Sequence, residues 1–382
     1  MSTLITGLSS RAIAESAVRG GYPVVTLDYF GDRDQADLVQ NLSLMRHLGL
    51  PFSAQNLLEA SRQVDYQSIV YISNLENHPE VVEALAQGKA LLGNPPAVLR
   101  QVRDWRVLRT FCARSGISFP ATLLPGEEEG ADPGKSWLCK PIRSGGGHGI
   151  RPWSGQPLSD DHLLQQYVPG QAASAAFVAD GRRAVLLGLT EQLIGCEALG
   201  GRGFAWGGNI LPLALPPRQL LAVVETVEAL ADQIARHFGL RGVNGIDLVI
   251  TEDLQVHLIE VNPRYTASME LVERAYGLNI FGLHLAALGG RLPDWDLAAH
   301  LEGPSFGKGI VYARHRLTMP DTSGWLTSER RDIPFPGDRI EAGHPVCTVL
   351  AEGADRGQCW QRLLTAASSV RQEIGDDRGG LS

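Results

Sequence analysis

The chain has 382 residues, a length that suits two or three domains, and its 44% apolar and 20% charged content are ordinary for a soluble globular protein. A net charge of −8 with no basic block argues against a nucleic-acid partner held by counterion release. The five scattered cysteines, Cys112, Cys139, Cys196, Cys347 and Cys359, show no CxxC spacing; with no signal-like N-terminus and no long apolar run, a cytoplasmic protein without disulfides, zinc or a membrane partner is expected.

In chain order, Thr3 to Thr6 reads as a strand, followed by a helix capped by Ser9 or Ser10 and running to about Arg19, then a strand from Tyr22 to Tyr29. GLSSR offers one glycine where a dinucleotide turn needs three, so Asp28 reads as structural, or as part of an acceptor cleft, rather than as a ribose ligand. Helices over 36–48 and 79–87 and strands over 68–73 and 90–92 complete a small α/β domain that ends at Gly93-Asn94-Pro95-Pro96. Val98 to Pro120 has helical periodicity and places Arg103 and Arg106 on a helix with no fixed facing group. The acidic stretch from Pro125 to Gly134 reads as a solvated loop.

In WLCKPIRSGGGHGI, Trp137 to Ile150, a strand delivers Lys140 and the loop Ser144-Gly145-Gly146-Gly147-His148-Gly149 follows. Glycines there let backbone N–H groups close over phosphate oxygens, with the lysine as a point charge. A glycine run alone reads as well as a mobile turn, and this one is not a Walker loop. HLLQQYVPG, His162 to Gly170, reads as a further strand. Two more, Ala173 to Ala179 and Arg183 to Thr190, turn at Asp180-Gly181. The glycine-rich stretch Gln192 to Asn209, with Arg202 and Trp206, reads as a loop, either closing over a site or merely connecting, and Pro217 to Phe238 as an amphipathic helix.

Residues Val243 to Tyr265, VNGIDLVITEDLQVHLIEVNPRY, read as a β-hairpin of Gly245 to Thr251 and Val256 to Val261. Ile246, Leu248 and Ile250 share one face, Asp247 points to the other, and Glu260 and Asn262 leave their strand on one side. Three oxygen donors, Asp247, Glu260 and Asn262, suit a hard cation such as Mg²⁺ or Mn²⁺. Carboxylates near strand ends are most often solvated surface groups, but Glu260 interrupts the apolar run HLIEV where an unpaired carboxylate is costly. The rigid Asn-Pro-Arg turn sets Arg264 beside it, and a cation site with a guanidinium neighbour suits phosphoryl transfer. Beyond it, helices over 268–276 and 279–288 carry His284, read as packed. Strands from about Gly303 and a helix from Arg356 to Ile374 precede a polar tail expected to be disordered, and no internal repeat is visible.

The Asp247 hairpin ending in Glu260-Val261-Asn262-Pro263-Arg264, placed about a hundred residues after the Lys140 glycine loop, resembles the ATP-grasp superfamily, and the whole chain resembles predicted ATP-dependent carboligases related to biotin carboxylase. That resemblance implies an α/β and α+β architecture: a pre-ATP-grasp α/β domain over 1–93, a first nucleotide lobe over 94–162, a second lobe with the metal site over 163–302, and a small β-rich C-terminal extension over 303–382. It implies ATP and Mg²⁺ (or Mn²⁺) as cofactors, with Asp247, Glu260 and Asn262 as metal ligands, Arg264 and Lys140 as catalytic residues, Lys140 and Ser144, Gly145, Gly146, Gly147, His148 and Gly149 on phosphate, and Gln166, Tyr167 and Val168 on adenine.

Relatives carry a lysine after the acidic residue at Asp104; here Trp105 follows, so Arg103 or Arg106 would have to substitute. Gln165, Gln166 and Ala172 stand where glutamates are usual, which weakens the ribose contacts. The implied reaction activates a carboxylate as an acyl phosphate for attack by an amine, releasing ADP and phosphate, with small-molecule partners and a homodimer left open. A bicarbonate-activating enzyme and a nucleotide-binding regulatory module without catalysis, suggested by Trp105 and Ala172, are the alternatives.

Overall fold

The computed structural model describes residues 2–376. Its first part runs β1 (Thr3–Thr6), α1 (Arg11–Arg19), β2 (Val24–Asp28), α2 (Arg33–Ala36), β3 (Asn41–Ser43), α3 (Leu44–Leu48), α4 (Ala54–Ala60), β4 (Ser68–Tyr71), α5 (Pro79–Leu85) and β5 (Ala90–Leu91). The strands form a parallel sheet in the order β3-β2-β1-β4-β5, and helices on its faces cover runs such as Leu4-Ile5 that are buried on both sides.

The single helix expected over 36–48 is two short helices flanking edge strand β3. Asn41 ties that edge to β2 by donating to Thr26 Oγ1 at 3.0 Å, and Ser43 caps α3 by accepting from the Arg46 N–H at 3.0 Å. Asp28 is wholly buried and structural: it accepts from the Ser10 N–H and hydroxyl at 3.0 and 2.7 Å and from the Gly31 N–H at 3.0 Å.

The segment expected as one periodic helix breaks into α6 (Pro96–Val102) and α7 (Trp105–Ser115). Asp104 makes the break by accepting from the Arg106 and Val107 N–H groups at 2.8 and 3.2 Å, and Gly116 ends α7 at φ 66°. A four-stranded antiparallel sheet follows, ordered β6 (Thr122–Leu123), β9 (His162–Gln166), β7 (Trp137–Pro141), β8 (Arg151–Pro152).

The largest sheet has eight strands. Its members are β10 (Gln171–Asp180), β11 (Ala184–Ile194), β12 (Trp206–Leu211), β13 (Arg241–Ile250) and β14 (Val256–Asn262), then β15 (Ser305–Tyr312), β17 (Arg330–Arg331) and β19 (Pro345–Gly353); β16 (Leu317–Thr318) pairs separately with β18 (Arg339–Ile340). The order is β14-β13-β10-β11-β12-β15-β19-β17, so the strands after residue 303 extend the sheet that carries the hairpin. Between strands lie α8 (Pro217–Phe238), α9 (Met269–Tyr276) and α10 (Ile280–Leu288), with α11 (Arg356–Ile374) closing the described chain. The expected disordered tail lies, from residue 377, outside the described residues.

Strand β12 was hidden in the glycine-rich stretch expected to be loop. At Gly208, φ is 130° and a Cβ would stand 1.9 Å from the Lys308 carbonyl, so the glycine is what lets β12 and β15 approach. One face of the large sheet packs on α7 and α8 through Leu108, Phe111, Val227, Ile234, Ile246 and Leu248. The opposite face shares a core with the first domain, where Ile5, Ile13 and Val70 meet Val178, Val243 and Phe281. His284 is packed, as expected, accepting from the Val243 N–H at 3.0 Å with its other nitrogen 3.0 Å from the Leu92 carbonyl oxygen.

Candidate functional site

The β13–β14 hairpin builds the site. Its ladder sets Asp247 opposite Glu260 and Gly245 opposite Asn262, while nearer the tip Leu248 faces Leu258, so one extra residue is bulged out on β14. Ile246, Leu248 and Ile250 anchor the strand in the core, leaving Asp247 on the other face. Asn262 joins the two carboxylates: its Nδ2 donates to Asp247 Oδ2 at 3.1 Å and reaches Glu260 Oε1 at 3.5 Å. The other Asp247 oxygen accepts from Gln192 Nε2 at 2.9 Å, and β10 sets Ser174 beside Asp247 in the ladder.

Three cations surround this pair. Arg264 donates through Nη2 to Asn262 Oδ1 at 3.2 Å and to Glu76 Oε1 at 2.7 Å, and through Nη1 to the Tyr265 carbonyl at 3.0 Å. Arg103 donates to the Val261 carbonyl at 2.8 Å and to Asn77 Oδ1 at 3.0 Å, with Nη1 3.6 Å from Glu260 Oε2. Lys140, 7% exposed on β7, donates to Gln165 Oε1 at 2.9 Å, and its Nζ lies 5.2 Å from the centroid of the Trp105 ring.

Of the two arginines expected to stand in for the missing lysine, Arg103 faces the carboxylates; Arg106 is exposed beside Arg114 and His237. The expectation that Arg103 lacks a fixed partner is therefore corrected. Asp104 stops α6 and starts α7, and that break turns Arg103 into the site.

The electrostatics follow from burial and this charge pattern. Burial and the neighbouring Glu260 push the Asp247 carboxyl up to about 7, while Arg264 and the Asn262 amide oppose the rise. Burial also raises Glu260, but Arg103 and Lys140 outweigh it and hold the carboxyl below its usual range. Burial lowers Lys140 against the opposing pull of Glu260 and Asp247. The pair thus holds an ionised Glu260 beside a carboxyl that resists its second charge, a strain that a bound cation would relieve.

The glycine loop is docked. Trp206 donates its N–H to the Gly146 carbonyl at 3.0 Å, and at Gly147, where φ is 76°, a Cβ would fall 1.8 Å from the Phe204 carbonyl. Ser144 to Gly149 therefore close against the second glycine-rich stretch, with Gly146, His148 and Gly149 exposed. On β9, Gln165 is spent on Lys140 and on Thr122 and Gln166 accepts from Lys135 Nζ at 3.3 Å; just past the strand, the Tyr167 N–H donates to the Ser136 carbonyl at 2.8 Å. The Tyr167 side chain is exposed, and its N–H is committed within the fold.

Residues 105–268 match the family model of the ATP-grasp domain. The chain carries an ATP-grasp domain. The carbamoyl phosphate synthase arginine-specific large chain of Geobacillus stearothermophilus is 30% identical over 118 residues, 30% of this chain and 10% of that protein. Its counterpart from Lactiplantibacillus plantarum is 28% identical over 136 residues, 33% of this chain and 12% of that protein. The chain thus spans about a tenth of the length of the curated relatives it matches.

Solved structures share the fold along most of the chain. The biotin carboxylase domain of the Hydrogenobacter thermophilus 2-oxoglutarate carboxylase, solved with MgADP, ADP and bicarbonate, has a TM-score of 0.69 at 14% identity, covering 97% of this chain and 89% of that one. The L-amino acid ligase from Bacillus licheniformis also has a TM-score of 0.69, at 15% identity over 96% of this chain and 97% of that one. The fold is that of these two proteins. Among the described residues no helix is long and apolar enough to cross a membrane.

The residues that sequence reasoning missed are the supports: Glu76 and Asn77 from the first domain and Gln192 from β11. Glu76 and Asn77 sit in the polar run Asn74-Leu75-Glu76-Asn77 just past β4, a stretch that looks like any solvated turn until the fold buries it.

Proposed function

We propose that the chain is an ATP-dependent ligase that activates a carboxylate as an acyl phosphate for attack by an amine, releasing ADP and phosphate. The observation that carries this reading is the convergence of Asp247, Glu260, Arg264 and Lys140 of the ATP-grasp match with Arg103 just before it. The relatives' names, carbamoyl phosphate synthase and L-amino acid ligase, support a carbon–nitrogen ligase.

The donor set fits Mg²⁺ or Mn²⁺: two oxygen-donor carboxylates sit on facing strands with an amide beside them. Asp247 and Glu260 would hold the ion directly. Asn262 turns its nitrogen to both carboxylates and its oxygen to Arg264, so it joins as a third ligand on rotation of its amide. When bound, the ion supplies positive charge for phosphate oxygens.

The chain's own residues do the rest. Lys140 and the loop Ser144 to Gly149 hold phosphates, Arg103 takes the place of the lysine replaced by Trp105, and Arg264 steadies the carboxylate under attack. Gln166 ends β9 and Tyr167 and Val168 follow it, where Val168 offers adenine a backbone group beside the committed Tyr167 N–H. The functional division we propose is 1–93, 94–162, 163–302 and 303–382, in a protein of the cytoplasm that acts on small molecules as a monomer or homodimer.

Incubation with MgATP, pooled carboxylates and amines, and a separate bicarbonate arm, tests the reading. ADP and phosphate are expected, with hydroxylamine trapping the activated acid as a hydroxamate, and Glu260→Gln is expected to abolish most turnover. AMP as the product, or full turnover in Glu260→Gln, would refute it.

A further inference from the structure

The ATP-grasp match begins at residue 105, yet both guanidiniums at the carboxylate pair are fixed by residues that precede it. Glu76, 1% exposed, and Asn77, 5% exposed, follow β4 of the first domain and reach across to the hairpin. Glu76 Oε1 accepts from Arg264 Nη2 at 2.7 Å, with side chains only 2% and 9% exposed. Asn77 Oδ1 accepts from Arg103 Nε at 3.0 Å, while its amide nitrogen donates to Asn74 Oδ1. The same domain braces the turn that carries Arg264. The Pro263 carbonyl accepts from the Tyr71 hydroxyl at 3.1 Å and from Asn94 Nδ2 at 3.0 Å.

The charge pattern gives these contacts a purpose. Arg264 feels three carboxylates, Glu76 most strongly, then Glu260 and Asp247. Without Glu76, the carboxylates left to attract its charge are the two groups that would bind a cation, and a guanidinium settling on them would compete with the ion. Arg103 is in the same position: Asn77 and the Val261 carbonyl hold it 3.6 Å from Glu260, short of a direct hydrogen bond.

We propose that Glu76 and Asn77 of the first domain are positioning residues of the nucleotide–metal site, tethers that keep Arg264 and Arg103 aimed at incoming phosphate or carboxylate oxygens and off the metal carboxylates. The proposal rests on the ATP-binding reading above. The first domain is then part of the site.

The test is Mn²⁺–ADP binding to the full chain, followed by the Mn²⁺ electron paramagnetic resonance signal. Glu76→Gln is expected to weaken binding about tenfold or more, and to change it less than about twofold when Arg264 is already Ala, because the tether then has nothing to hold. Asn77→Asp keeps the acceptor for Arg103 and is expected to restore most of the affinity that Asn77→Ala loses, which a merely structural role would not predict. If wild type binds and Glu76→Gln matches it, or if Glu76→Gln costs as much in the Arg264→Ala background, or if Asn77→Asp is as weak as Asn77→Ala, the tether is refuted while the ATP reading stands. Absence of Mn²⁺–ADP binding in wild type would instead refute the ATP reading and the tether with it.

Discussion

Gly147→Ala should undock the glycine loop, and the expected size can be worked from the structure. Gly147 sits at φ 76°, where an L-residue costs roughly 1–2 kcal/mol. Its Cβ would fall 1.8 Å from the Phe204 carbonyl, so the loop must also shift and give up the Trp206 N–H to Gly146 carbonyl bond, worth about 0.5–1.5 kcal/mol. The sum, roughly 1.5–3.5 kcal/mol, corresponds to a shift of about tenfold or more toward the undocked loop.

Hydrogen exchange read by mass spectrometry at the Trp206 amide follows the event directly, because that N–H is the one bonded to the loop. Gly145→Ala is the matched control: no positive φ, and nothing within 4 Å of the added Cβ. Protection at Trp206 should fall in Gly147→Ala and persist in Gly145→Ala. Equal protection in the two variants would refute the steric argument.

Lys140→Ala should weaken MgADP binding about tenfold or more in calorimetry, since a charge-assisted phosphate contact is worth roughly 1.5–3 kcal/mol, whereas exposed Arg106→Ala should change it little. Phe281→Ala, 1% exposed where the first domain meets the large sheet and 5.2 Å from the Tyr22 ring, should cost about 3–5 kcal/mol in denaturant unfolding. Burial, partly offset by Arg11 and reinforced by Asp332, pushes Asp34 from 3.8 up to about 6. The fold then holds this proton more tightly than the unfolded chain does, so the contribution favours folding below about pH 4 and fades as pH rises to about 6. Asp34→Asn should therefore gain on wild type by roughly 2–3 kcal/mol between pH 4 and 7, and parallel stability–pH curves would contradict the shift.

The elements legible in the sequence are those whose signals are local. Pro217 to Phe238 and Arg356 to Ile374 appear with the expected ends because a proline or a capping aspartate opens each and a glycine closes it. Alternation along β13 made Asp247 legible as facing away from Ile246 and Leu248, whereas on β14 the bulge after Leu258, which turns Glu260 off the core face, has no local signal. Strand β12 was not legible, since its glycines meet a partner about a hundred residues away, and neither was the turn of Arg103 into the site, set by one capping aspartate. Gln165 and Gln192 looked like substitutes for nucleotide-binding glutamates or like loop residues; only the folded sheets show them holding Lys140 and Asp247.

The continuity of the eight-stranded sheet bears on how this protein can be divided. Residues 206–211 bond to 305–312 on one side and to β11 on the other, so a fragment cut near residue 268, at the limit of the family match, would expose the backbone donors and acceptors of β12 as an unpaired edge. It would also strip Leu199 and Ile210 of their apolar neighbours Val311, Val349 and Leu363. Such a piece is primed for intermolecular strand pairing. Expression trials guided by the family match alone should yield aggregates, and soluble fragments should be found only among those that retain β15 and β19.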